Sequence, residues 1–239
     1  LDQVIRKVTH VIELPGEEAH IELSPLSSGL RGKHFAKAKD YRVGAVTVLL
    51  YNKQGHPHFV LTQRHVYNGA HSGQISLPGG KYEDGDGDTI QTALRETEEE
   101  IGIAQKDIQV IKNLSQLYIP PSNFLVYPYV GVIHNEFEFK KDDFEVKEVF
   151  EISINELINS VLIDKPLAEL TNVSNYKNLC PCFEFGDRII WGATAMICCT
   201  GAEVQLTIDR FIQVIIEREL VAALERYDSP SGSILVMDP

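Results

Sequence analysis

Long apolar runs are missing from this 239-residue chain: the longest, such as Val43–Tyr51, fall far short of the ~20 residues that cross a bilayer. Positive charge is scarce as well. Lys and Arg number 22 against 34 Asp and Glu, a formal net charge of −12, which argues against broad nucleic-acid binding and against docking on an anionic membrane. A polyanionic substrate is still admitted, provided a cation sits in the site. Cysteine occurs only at 180, 182, 198 and 199, and the C-P-C and C-C spacings suit neither a disulfide framework nor a zinc finger. Reduced, partly buried thiols are expected. No secretory leader is read in the opening residues, and a reducing cytoplasm is the expected setting. Internal repeats, low-complexity segments and a convincing linker are absent too.

What is present is ordinary globular material. The chain is 44% apolar and 23% charged, enough for a substantial core in one large domain, with modest extensions allowed. Val4, Ile5, Val8, Val11 and Ile12 recur at helical spacing over residues 1–13, and Leu14-Pro15-Gly16 stops that helix. Residues 24–40 read as a long polar loop. Val43–Tyr51 is a near-continuous β-rich run, as in a buried strand, and His58–Thr62 reads as the next strand after a turn. Residues 65–80 are rich in Gly, His and Ser and read as irregular. A helix is expected from Asp88, with Gln91 as its capping-box partner, to Gly102. Ile108–Ile111 and Phe124–Ile133 read as strands around Pro120-Pro121, Ile154–Val161 as a short helix, and Arg188–Trp191 as a strand running into Gly192, with Trp191 as core. Ile208–Leu224 has an amphipathic pattern, with Phe211, Ile212, Ile215 and Ile216 on its apolar face. That stripe has two expected uses, packing on the domain or forming a homodimer.

The stretch 92–103 reads TALRETEEEIGI. Glu96, Glu99 and Glu100 are related by i,i+3 and i,i+4 spacing and so share one helix face. At ~6 Å each like-charge pair costs about 0.7 kcal/mol in water and about 3 kcal/mol at a partly buried site. Arg95 offsets one charge, but Glu83, Asp84, Asp86 and Asp88 crowd the same neighbourhood. A solvated acidic face would normally interleave signs. A multivalent cation turns the repulsion into a site, and oxygen-only ligands select magnesium or manganese over zinc.

These residues resemble the box of the Nudix hydrolases: Gly80, then Arg95-Glu96, Glu99-Glu100 and Gly102-Ile103, with the R-E-x-x-E-E-x-G-I core intact. Asp86 stands where that box has Glu, eight residues rather than seven precede Arg95, and Thr97 replaces an aliphatic. Leu61-Thr62-Gln63-Arg64 and His71-Ser72-Gly73-Gln74-Ile75-Ser76-Leu77-Pro78-Gly79-Gly80 are similar to the segment before the box in coenzyme A diphosphatases. So are residues 122–128, 145–150 and 191–195. His65, Gly69 and Leu77 depart from that subfamily's pattern.

The resemblance implies a Nudix fold, an α/β/α sandwich around a mixed β-sheet, over residues 41–197, with extensions at 1–40 and 198–239. It implies Mg2+- or Mn2+-dependent hydrolysis of a nucleotide-linked diphosphate, coenzyme A first, with ADP-ribose or another nucleotide sugar as rival and a non-catalytic nucleotide sensor as the rival of another class. Glu96, Glu99 and Glu100 would hold metal, with a backbone carbonyl at Gly80 completing the shell and Arg95 orienting Glu99 or a neighbour. Arg64 would neutralise a phosphate, Gly79 and Gly80 would let the backbone approach it, and His71 could contact substrate. Phe124 and Tyr127, alternating with Leu125 and Pro128, could offer a stacking face for adenine. The general base stays open between a box glutamate and Glu145, which with Glu148 reads as part of a loop-like acidic segment.

Overall fold

A central strand, β1 (Arg42–Lys53), organises the molecule, and its nearly unbroken apolar sequence is buried on both faces. The computed structural model describes residues 1–11, 39–66, 72–171 and 178–198, together with 14, 16, 20, 23 and 24. β1 pairs antiparallel with β2 (His56–Arg64) and parallel with β7 (Phe124–Val132). β2 also carries β3 (Ile75–Ser76) and β8 (Val146–Ser153), β1 carries β4 (Gly79–Lys81), and β7 carries β5 (Gln109–Asn113) and β6 (Leu117–Ile119). One parallel pair among antiparallel ones makes this eight-stranded sheet mixed.

The two-residue side-chain period of β1 sorts its residues between two cores. Ala45, Leu49 and Tyr51 meet Ala93, Leu94 and Ile101 of helix α2 (Thr89–Ile101) on one face. Val48 and Leu50 meet Phe59, Leu61, Val126, Val130, Phe150 and Ile152 on the other. Val8 of α1 (Asp2–His10) covers this second face together with Ile154 and Leu157 of α3 (Ile154–Asn159). The layers are therefore helix, mixed sheet, helix. Each large aliphatic side chain so buried contributes about 1.5–3 kcal/mol; truncating the fully buried Leu49 to Ala costs about 2–5 kcal/mol.

A second, three-stranded sheet follows: β9 (Leu162–Pro166) and β11 (Arg188–Trp191) flank β10 (Leu179–Phe185), with α4 (Leu167–Leu170) between β9 and β10. The Thr194 hydroxyl donates to the Ile75 carbonyl at 3.0 Å and Arg188 pairs with Glu148 of β8 at 2.5 Å, which ties this part to the main sheet. Cys180, Cys182 and Cys198 are buried. Among the described residues no helix is long and apolar enough to cross a membrane.

Several expectations change. Residues 65–80 are not wholly irregular, because Gly79 and Gly80 lie against Val46 and Ala45 as a strand without side chains, which leaves no apolar alternation to detect. Glu148 is in strand β8, not in a loop, and Glu145 directly precedes it. Trp191 is half-buried rather than core, since β11 is an outer strand of its sheet. The expected helix over 1–13 ends at His10, where Val11 turns extended and gives its carbonyl to Lys112. The expected helix at 208–224 and nearly all of the 24–40 loop lie outside the described residues.

Candidate active site

The start of α2 is set by Asp88, whose side chain accepts the Gln91 N–H at 2.8 Å, one half of the expected capping box. Its end is set by Gly102, in the left-handed region at φ 73°, whose N–H returns to the Glu98 carbonyl. Between them the inner face of α2 presents Ala93, Leu94, Thr97 and Ile101 to the sheet. Thr97, polar where the resembling box has an aliphatic, is fully buried, and its hydroxyl lies 3.0 Å from that of Thr47 on β1 and 2.6 Å from the Ala93 carbonyl. The polar atom is thus satisfied where it sits.

The outer face carries the charge. Arg95 Nη1 donates to Glu96 Oε1 at 3.0 Å and to Glu99 Oε2 at 2.8 Å. Its other edge is held by Asp86, through Nε to Oδ1 at 2.6 Å and Nη2 to Oδ2 at 3.0 Å, and Nη2 also donates to the Lys81 carbonyl. Asp86 further accepts from the Thr92 hydroxyl and the Glu83 N–H. Hydrogen bonding from Arg95 holds its carboxyl well below the usual carboxylate range. Asp86 is therefore the partner that fixes Arg95.

Glu100 points the other way, into the protein, and is 3% exposed. Its Oε2 accepts from Gly79 N–H at 3.4 Å and its Oε1 lies 3.7 Å from Arg64 Nη2, both long contacts. Burial pushes its carboxyl up to about 8; the charges of Glu96 and Glu145 push the same way, and Arg64 and the Gly79 N–H oppose them. Burial also raises Glu96, against Arg95. The Glu96 carboxylate presses on Gly80 so closely that a Cβ there would lie 2.4–2.5 Å from it. Arg64, at the end of β2, completes this corner.

Glu145 reaches the same corner through a turn whose organising residue, Asp142, sequence reasoning missed. Lys140 N–H and Asp142 N–H donate to the Ile101 and Glu100 carbonyls at the end of α2. The Asp142 side chain then accepts the N–H groups of Phe144 and Glu145 at 2.7 and 3.0 Å, and its carbonyl accepts that of Val146. An acidic residue opening a tight turn was the available signal.

Arg64, Gly79, Gly80, Arg95, Glu96, Glu99, Glu100 and Glu145 are therefore neighbours. Phe124 is on the opposite sheet face, packed with the second core, beneath the Arg42 guanidinium at 4.3 Å. Tyr127 is three residues on and so packs on the α2 side, which rules out one shared stacking face. His71 lies outside the described residues.

Whether these groups suit a divalent cation is a question of donors. All are oxygens, as magnesium and manganese require, and Glu100 is a buried carboxyl whose opposing charge stands beyond hydrogen-bond distance. Among the described residues no three acidic, His or Cys side chains converge as they stand, and Glu96 and Glu99 are each paired with Arg95. Glu99 has a side chain 59% exposed and is free to swing off Arg95. The donor set fits.

The family model described as the NUDIX domain matches residues 41–171. That is more than half of the chain, and the protein belongs to the Nudix hydrolase family, whose enzymes act on nucleotide-linked diphosphates and generally use divalent metal ions. The uncharacterized Nudix hydrolase NudL of Yersinia pestis is 29% identical over 187 residues, covering 74% of this chain and 86% of that protein. Among solved structures, the Ap4A hydrolase of C. elegans is 20% identical over 49% of this chain and 83% of that one, with a TM-score of 0.41. The NUDIX domain of Shewanella oneidensis NrtR, complexed with ADP ribose, is 18% identical over 51% and 78%, with a TM-score of 0.42.

Proposed function

We propose that this protein hydrolyses coenzyme A to 4′-phosphopantetheine and adenosine 3′,5′-bisphosphate, water adding across the diphosphate bond. The observation that carries the hydrolytic reading is the corner of α2, where the buried Glu100, with Glu96 and Glu99 beside it, faces the glycine strand and Arg64. Coenzyme A in particular is supported by the residues flanking the box, among them Leu61-Thr62-Gln63-Arg64 and Leu77-Pro78-Gly79-Gly80, and by residues 122–128.

Glu96, Glu99 and Glu100, with the Gly80 carbonyl, hold Mg2+ or Mn2+. When bound, the ion neutralises phosphate charge and lowers the pKa of the attacking water. Arg64 takes the phosphate oxygens, and the bare backbone of Gly79 and Gly80 lets the diphosphate approach. Arg95, fixed by Asp86, aims Glu96 and Glu99. A box glutamate takes the proton of the attacking water, with Glu145 the next base in line. His71 remains assigned to substrate on sequence grounds. Residues 41–197 form the hydrolase unit, and 1–40 and 198–239 extend it.

The test is hydrolysis of coenzyme A, dephospho-coenzyme A and ADP-ribose with each metal, products identified by mass, for the wild type and Glu99→Gln. Expected are cleavage of coenzyme A, loss of turnover without the 3′-phosphate, and a drop on the order of a hundredfold in the variant. Preference for ADP-ribose would reassign the substrate. Equal inertness of both proteins across a broad diphosphate panel would make the module a sensor.

A further inference from the structure

Two of the most exposed large apolar side chains among the described residues sit beside the acidic corner. Phe144 is 92% exposed and Val66 75%. The His65 ring Nε2 bonds the Asp143 carbonyl at 3.0 Å, which joins the segment after β2 to the turn before β8. Val66 lies over Gly73, whose N–H donates to the His65 carbonyl. A side chain this apolar normally recovers its burial free energy inside a core.

The backbone beneath Phe144 is built rather than slack. Its N–H is held by the Asp142 carboxylate, Asp142 is held by the Glu100 carbonyl, and Val146 N–H closes the turn onto the Asp142 carbonyl. The same turn delivers Glu145, whose charge reaches both Glu96 and Glu100. A rigid turn therefore presents a bare aromatic ring one residue from the reacting corner.

We infer that Phe144 is the platform on which the base of the nucleotide substrate stacks. The inference rests on the diphosphatase reading and extends it to the nucleoside half of the substrate. With the diphosphate at Arg64 and the box glutamates, the nucleoside runs along the 142–146 turn, and the ring offers a flat surface to a flat base. A flexible pantetheine arm would gain less there, since it surrenders more rotor freedom for the same contact. A protein partner is poorly served: two side chains flanked by Lys141, paired to Asp143, and by the exposed Glu145 fall far short of the roughly 800 Å² per partner of a stable interface. Phe124, beneath Arg42 on the far sheet face, is not needed for this contact.

Phe144→Trp adds an exposed indole to a chain with one other tryptophan. Its fluorescence is expected to quench on titration with ADP and to stay unchanged with ribose 5-phosphate or 4′-phosphopantetheine. In turnover, Phe144→Ala is expected to raise KM for the nucleotide substrate about tenfold with kcat changed less than about threefold, and Phe144→Trp or Phe144→Tyr to restore it. Exposure at this position makes misfolding a minor concern, and circular dichroism checks it. An indole silent to ADP, or one answering to phosphopantetheine instead, overturns the platform, as does an unchanged KM. The ADP titration needs no turnover, so an inert wild type would sink the hydrolase reading while leaving the platform decided on its own readout.

Discussion

Asp86 grips Arg95 along one edge of the guanidinium, at 2.6 Å from Nε and 3.0 Å from Nη2, and leaves Nη1 to Glu96 and Glu99. The Asp86 side chain is 4% exposed and that of Arg95 22%, so this pair is shielded from the screening that weakens surface ion pairs. The arrangement explains two departures from the family pattern together. The shorter Asp is followed by one extra residue before Arg95, and the carboxylate still arrives at Arg95.

Asp86→Ala is therefore expected to lower kcat by about 10–100-fold, because Arg95 loses the anchor that aims the glutamates. It should also destabilise the fold by about 1–3 kcal/mol, as a part-buried guanidinium loses its partner. Asp86→Glu is expected to rescue poorly, its extra methylene overshooting. Because the folded carboxyl is depressed from its ordinary 3.8, the contribution is complete above that value and disappears only as pH falls below it. Thermal melts at pH 7 and pH 3 measure this, and an Asp86→Ala penalty equally large at both would count against the pair.

Glu100 yields a prediction of opposite sign. Burial lifts its carboxyl from 4.5 to about 8, so in the metal-free protein it is largely protonated at pH 7. A folded value above the unfolded one stabilises the protein below 4.5, and this contribution is lost as pH rises through 8. A divalent ion needs the carboxylate, so binding must expel the proton. Calorimetric titration with Mn2+ in two buffers of different ionisation enthalpy is expected to show close to one proton released at pH 7 and almost none at pH 9.5, with affinity climbing between pH 6 and 8. Proton release that persists undiminished at pH 9.5 would point to another group.

Much of this was legible in the chain. The strand over β1 and the helix from Asp88 to Gly102 announce themselves through burial pattern, cap and stop, and the acidic run holding Glu96, Glu99 and Glu100 marks the helix as the candidate site. Less was legible where side chains give no periodic signal. Gly79 and Gly80 form a strand through backbone alone. Glu148 alternates within β8, but its charged neighbours Glu145 and Lys147 mask the pattern. Asp142 acts on N–H groups two and three residues ahead, a local role that composition does not reveal. The proximity of Glu145 to Glu100 depends on the loop closing on the end of α2, and no spacing in the sequence encodes that closure.

Thr97 tests whether the polar exception beneath the acidic helix is compensated. Its hydroxyl and that of Thr47, both fully buried, share the Ala93 carbonyl. Thr97→Val and Thr47→Val are each expected to cost about 1 kcal/mol by leaving the other hydroxyl with a poorer partner set. The double variant replaces both with methyls of the same shape and is expected to cost clearly less than the sum. Urea unfolding of the four proteins closes the cycle; strict additivity would mean that the two hydroxyls act independently.

The two glycines facing α2 separate folding from catalysis. A Cβ at Gly79 would lie 2.3 Å from the Ala45 carbonyl oxygen and 2.6 Å from Val46 Cα, and the residue sits at φ 150°. Those are backbone obstacles in the central strand, and a non-glycine residue is strained there besides. Gly79→Ala should destabilise by more than about 4 kcal/mol or prevent folding. At Gly80 the obstacle is the carboxylate of Glu96 at 2.4–2.5 Å, the far end of a side chain that can rotate away. Gly80→Ala should therefore melt within a few degrees of wild type while losing about a hundredfold or more in metal-dependent turnover, because Glu96 is driven off its position and a ligand lies beyond the reach of its ion. Full activity in a folded Gly80→Ala protein would show that Glu96 need not stand against this strand, and the placement of the metal at the corner of α2 would fail with it.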